Sequence, residues 1–102
     1  MRGYLRKNPH QKSERNPDYW GQMDFAGEKL SITCISNKPY YNMTFLGEDH
    51  REVGIGEIEF YQGDWFGDAV LDGHEVIFTV RLNTTDQPYL EFTGRYKDES
   101  LH

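Results

Sequence analysis

Residues Tyr19 to Phe45 return in altered form at Trp65 to Gly94, and this near-repeat constrains the chain more than any other feature. At an offset of 46, Gly21 falls on Gly67, Gly27 on Gly73, Thr33 on Thr79 and Asn37 on Asn83. Between these positions Trp20 matches Phe66, Phe25 matches Leu71, Leu30 matches Val76, Ile32 matches Phe78 and Cys34 matches Val80. Three extra residues then move the offset to 49, so that Pro39-Tyr40 meets Pro88-Tyr89 and Met43 meets Phe92. Apolar positions stay two apart and in phase through both stretches, which is the period of a strand with one buried face.

Each stretch reads as strand, tight turn, strand, wider turn, strand. In the first, Tyr19, Met23 and Phe25 share a face, and Ala26-Gly27 closes a hairpin in which glycine supplies positive φ. Leu30, Ile32 and Cys34 follow in phase, and after Asn37-Lys38-Pro39 so do Tyr41, Met43 and Phe45. The second stretch offers Ala69 and Leu71, a turn at Asp72-Gly73, then Val76, Phe78 and Val80, then Leu90 and Phe92. The predicted fold is all-β: two pseudo-repeated three-stranded antiparallel meanders that bury their apolar faces as a small sandwich or an OB-like barrel. The meanders span residues 19–47 and 65–96 and are linked by a strand over 55–62, after a charged loop from Gly47 to Gly56. Ile58 and Phe60 face one side of that strand, and Glu57, Glu59 and Tyr61 face the other. Asp64 to Asp68 is the one segment that suits a short helical turn.

A chain of 102 residues has room for one core, so residues 16–97 form a single β domain, with a frayed tail over 98–102. No apolar run approaches the ~20 residues of a membrane span. The N-terminus has charge but no hydrophobic segment of the secretory kind. The single cysteine, Cys34, has no internal disulfide partner and falls on an inward phase. These features point to a small core thiol in a reducing compartment, the cytoplasm of a host cell.

Charge is unevenly placed. The net charge is −6, but residues 1–15 hold Arg2, Arg6, Lys7, Lys12 and Arg15 against Glu14 alone, giving +4 and leaving −10 on the rest. A basic arm on an acidic body is the expectation, either adding a short strand through Tyr4-Leu5 or staying mobile until a partner orders it.

The entry to the first meander, Asn16-Pro17-Asp18-Tyr19-Trp20-Gly21, is followed by the Ala26-Gly27 hairpin and a strand rich in β-hydroxyl residues. Over residues 6–45 this resembles a group of short phage- and plasmid-borne β-proteins with a basic arm and an Asn/His-Pro-Asp-Tyr-x-Gly entry. Many of those proteins carry a tryptophan at the end of the second strand, where this chain has Ile35-Ser36. The resemblance implies a mobile-element origin and does not imply an activity.

Enzyme and cofactor signatures are missing from the sequence. Asp64, Asp68 and Asp72 sit four apart without the alternation, mid-loop glycine and closing glutamate of a calcium loop. His10, His50, His74 and His102 have no ligand-spaced partners, and no nucleophile elbow or phosphate-cradling loop is present. Glu57 and Glu59 suit an edge strand that must avoid pairing with another chain. No catalysis, metal or cofactor is expected.

The outward faces carry more information. Trp20, Phe66, Tyr40 and Tyr89 all point away from the predicted core, as a contact surface would. The first expectation is a non-enzymatic acidic protein-binding module of a mobile element, an inhibitor of a host nucleic-acid-handling protein. Its partner surface would be basic, met by Trp20, Tyr40, Asp64, Trp65, Phe66, Asp68, Asp72, Glu75 and Tyr89. The alternative is an OB-like single-stranded nucleic-acid binder, with Trp20, Tyr40, Phe66 and Tyr89 stacking bases and Arg2, Arg6, Lys7, Lys12 and Arg15 tracking phosphates. Only six Lys and Arg lie outside residues 1–15, which favours the protein partner. A homodimer is left open.

Overall fold

The computed structural model describes residues 1–7, 18–37 and 40–97. Eight strands run in sequence order around a closed antiparallel barrel. They are β1 (Arg2–Lys7), β2 (Tyr19–Phe25), β3 (Glu28–Asn37), β4 (Tyr40–Leu46), β5 (Glu52–Tyr61), β6 (Asp64–Leu71), β7 (His74–Asn83) and β8 (Tyr89–Tyr96). Each strand pairs with its neighbours in sequence, and β1 closes the ring by pairing with β8.

The all-β class and a closed barrel are therefore as expected, whereas a sandwich of two facing sheets is not what forms. The connectivity also differs from an OB-type barrel, which has five strands in a Greek key. Residues 2–7, the first part of the basic stretch, form the strand that seals the wall, one of the two states open to it, with Leu5 buried against the core. Lys12 and Arg15, and the tail over 98–102, lie outside the described residues. Asp64 to Asp68 is not a helical turn but the start of β6, and β5 begins at Glu52 inside the stretch expected to be loop.

Three hairpins close through two-residue turns with positive φ at both positions: Ala26-Gly27 at 51° and 81°, Gln62-Gly63 at 51° and 87°, and Asp72-Gly73 at 52° and 81°. That geometry matches the right-handed twist of the paired strands, and glycine accepts it without steric cost. The wall also bends sharply where strands crowd. A Cβ on Gly21 would lie 1.7 Å from the Tyr4 carbonyl oxygen, and one on Gly54 1.9 Å from that of Val70. Only glycine lets backbones approach so closely, so these two residues fix the corners of the barrel.

An eight-stranded barrel is just wide enough for side chains to fill it. Sixteen apolar residues are buried inside, with Phe45 at the centre stacked on Phe78 at 6.1 Å and Phe78 edge-on to Phe92 at 5.2 Å. Each large side chain removed from water here contributes about 1.5–3 kcal/mol. Cys34 lies among them fully buried, and burial pushes its thiol up to about 12, so it stays protonated. At one mouth Tyr19, Tyr41, Trp65 and Phe60 touch in series, at 5.8, 5.8 and 5.1 Å between ring centres, and cover the interior. Asp18 buttresses this end by accepting the Ser36 backbone N–H. Among the described residues no helix is long and apolar enough to cross a membrane.

Candidate binding surfaces

With the interior filled, contact chemistry is left to the outer wall. Along every strand the period of two separates the core set from an outward set, and the register of the barrel decides which outward residues become neighbours. The four aromatics expected to form one surface are divided by that register. Glu59 on β5 stands between Tyr40 on β4 and Phe66 on β6. Arg6 on β1 stands between Trp20 on β2 and Tyr89 on β8. Since β1 and β5 are four strands apart around an eight-stranded ring, the two groups lie on opposite walls.

The β4–β6 wall is acidic and apolar. Its strands contain Glu52, Glu57, Glu59, Asp64 and Asp68 and no lysine or arginine. Of the nine large apolar side chains exposed among the described residues, six are here: Tyr40, Ile55, Phe60, Tyr61, Phe66 and Val70. Ile55 is the most open at 61%, and Phe66 stands 51% exposed. A depression of about 640 Å³ crosses β4–β7, with Ile55, Val70 and Ile77 among Asn42, Glu57, Asp68 and Glu75. Lys97 reaches its edge and approaches Glu75 at 3.6 Å.

The residues expected to meet a partner are spread unevenly over this wall. Asp64, Asp68 and Asp72 run down β6 into its turn, a stripe about 27 Å long at the usual strand rise. Glu75 follows on β7. Trp65 is on the opposite pleat from Phe66, half-buried at the mouth against Tyr41 and Phe60, and is not an outer-face anchor. Phe60 shares the inward phase of Ile58 but lies so near the rim that it is 54% exposed. Glu57 and Glu59 do not guard a sheet edge, because β5 is paired on both sides.

The opposite wall is basic. Strands β8, β1 and β2 carry Arg2, Arg6, Lys7 and Arg95 against Asp24 and Glu91. Both carboxylates are engaged locally. Asp24 accepts the Arg2 backbone N–H at 3.0 Å, and that bond holds its carboxyl below the usual range. Glu91 accepts from Arg81 at 2.7 Å, from Asn83 at 3.1 Å and from the Tyr89 hydroxyl at 3.1 Å, which hold it ionised to lower pH than an ordinary glutamate. The same bond raises the Tyr89 phenol. The Arg6 guanidinium lies 4.7 Å from the Tyr89 ring centre and 5.4 Å from that of Tyr4, within cation–π range of both.

Sequence reasoning singled out Arg6 only as one charge of an arm and Glu59 only as an edge guard. Their central places are visible once the strands are in register, and no local signal announces them. Among the described residues no group of three or more His, Cys, Asp and Glu side chains is placed to hold a metal ion. Compared with known protein families, characterised proteins and solved structures, the chain matches none of them.

Proposed function

We propose that this protein is a non-enzymatic binding module whose β4–β6 wall docks on a basic surface of another protein. The observation that carries the reading is the coincidence on three adjacent strands of five carboxylates, no cation and six exposed large apolar side chains. Carboxylates there steer a basic partner into place and select it, while Tyr40, Phe66, Ile55 and Val70 supply the area that water leaves. The depression between Ile55, Val70 and Ile77 accepts an apolar side chain of the partner, and Glu57 and Asp68 stand where a flanking lysine or arginine would reach. The phage-like entry at Asn16 to Gly21 supports a mobile-element origin, and with it the role of an inhibitor acting in a host cytoplasm on a nucleic-acid-handling protein, whose working surface is characteristically basic.

The architecture suits a doubled unit. We read the chain as two copies of a four-stranded piece, β1–β4 and β5–β8, the meanders aligned at offsets of 46 and 49 and β1 aligned with β5 at 53. In support, Gly3 pairs with Met23 and Phe92 as Gly56 pairs with Ala69 and Met43, and Leu5 pairs with Gly21 as Ile58 pairs with Gly67.

The test is capture from host lysate by the immobilised protein, run beside a Glu59→Arg/Asp68→Lys variant. Retention of a basic protein by the wild type, with loss of about tenfold or more in the variant, is the expected result. Equal retention by both forms, or by neither, sinks the reading.

A further inference from the structure

We infer that the β8–β1–β2 wall is a second, separate binding site, and that it takes single-stranded nucleic acid. Two kinds of group converge there. Arg2 and Arg6 both project outward from β1, about 13 Å apart at the usual strand rise. Arg95 adds to the positive field on β8 and Lys7 at the rim of β1, against two carboxylates on these strands, Asp24 and Glu91, of which Glu91 is ion-paired with Arg81 of β7. Four cations against two carboxylates leave these three strands with an excess of positive charge for a polyanion to meet.

The second kind is flat. Trp20, 44% exposed, sits directly across from Arg6, and on the other side of Arg6 lie Tyr89 and Tyr4, edge to face at 6.5 Å. The guanidinium lies within cation–π range of both tyrosine rings, which hold it at this place on the wall. Planar cation and indole side by side are the elements on which unpaired bases stack without regard to sequence. An acidic protein would meet the same charges and the same indole, and competition by polyglutamate tells it apart from a single strand. Duplex DNA hides its base faces, so the stacking surfaces favour a single strand.

The site does not rest on the acidic wall, which lies across the barrel and repels phosphate. The two readings succeed or fail separately, and if both hold the protein joins a basic protein to a single strand.

The experiment is fluorescence-polarisation titration of a labelled oligothymidine of about 20 nucleotides with the full chain, at 50 and 200 mM salt. Four phosphate contacts predict an affinity loss of about 50-fold between those concentrations. Trp20→Ala is expected to weaken binding about 5- to 150-fold by removing one stacking face. Arg6→Glu abolishes binding at 200 mM salt, and Arg2→Glu serves as a second reversal should the first disturb the barrel, with circular dichroism confirming the fold of each. Glu59→Gln and Phe66→Ala leave the affinity within twofold. The inference is overturned by no binding at 50 mM salt, by unchanged binding in the folded Arg6→Glu or Arg2→Glu protein, or by polyglutamate competing as well as unlabelled oligothymidine.

Discussion

Two walls of this barrel share one frame and carry opposite charge. On β5 a glutamate, Glu59, stands between Tyr40 and Phe66; on β1 an arginine, Arg6, stands between Tyr89 and Trp20. The inward residues beside them are matched in kind, Leu5 with Ile58 and Gly3 with Gly56. In a closed barrel the inward set decides whether the chain folds and the outward set decides what it meets. One backbone arrangement can therefore hold two unrelated partners, because the alternation of side chains uncouples the two tasks.

The largest expected difference between the walls is steric. A Cβ at Gly21 meets backbone, the Tyr4 carbonyl oxygen, whereas one at Gly67 meets the end of the Ile58 side chain at 2.6 Å, which can turn aside. Gly21→Ala is expected to cost about 3 kcal/mol or more, and Gly67→Ala about 1 kcal/mol, in urea unfolding. Equal costs would mean that the backbone contact at Gly21 is no more restrictive than the side-chain contact at Gly67.

Charge reversal at the two centres tests the functional half of the comparison. Glu59→Arg removes capture of the basic partner and leaves oligothymidine binding intact, and Arg6→Glu does the opposite. Both proteins should stay folded, losing no more than about 2 kcal/mol, since Glu59 is half-buried and Arg6 gives up its contacts with two tyrosine rings. A single substitution that abolished both activities would show the walls to be one site.

A smaller effect is expected at the turns that join the frame. Ala26 holds φ at 51°, a left-handed conformation that costs an ordinary L-residue about 1–2 kcal/mol and that asparagine tolerates better. Ala26→Asn should raise stability by about 1 kcal/mol, measured as a higher unfolding midpoint with unchanged slope. The equivalent turn at Asp72-Gly73 already has a tolerant residue, so Asp72→Asn should change little.

The smallest concerns pH and belongs to the basic wall alone. Hydrogen bonds from Arg81, Asn83 and Tyr89 lower the folded-state pKa of Glu91, so its contribution to stability is complete above the ordinary glutamate range. It fades as pH falls through the lowered value, because the unfolded chain then binds the proton first. The stability gap between wild type and Glu91→Gln should therefore shrink on acidification. A gap that widened instead would contradict the bonding seen at Glu91.

Much of the frame was legible in the sequence because strand signals are local. The Ala26-Gly27 and Asp72-Gly73 turns and the inward residues of β2, β3, β4, β7 and β8 follow from glycine placement and a period of two. The closing strand was harder to read. In β1 only Leu5 is fully buried, and its alternation is completed by Gly3, which has no side chain to register as apolar. The aspartates of β6 misled for a related reason: a spacing of four is close to a helical turn and also an even number of strand positions, so Asp64 and Asp68 fit either. Trp65, named beside them as a contact residue, lies on the pleat opposite Phe66, half-buried at the mouth.

What the sequence determined by itself is the list of strands, most of their turns and which side chains seek the core, since these depend on residues close together in the chain. The tertiary structure decided which outward residues stand together. Trp20 and Phe66 occupy the same place in the near-repeat, yet closure of β1 on β8 puts them on opposite walls, one beside Arg6 and the other beside Glu59. Register around a closed ring couples residues dozens of positions apart, and no local pattern contains that coupling.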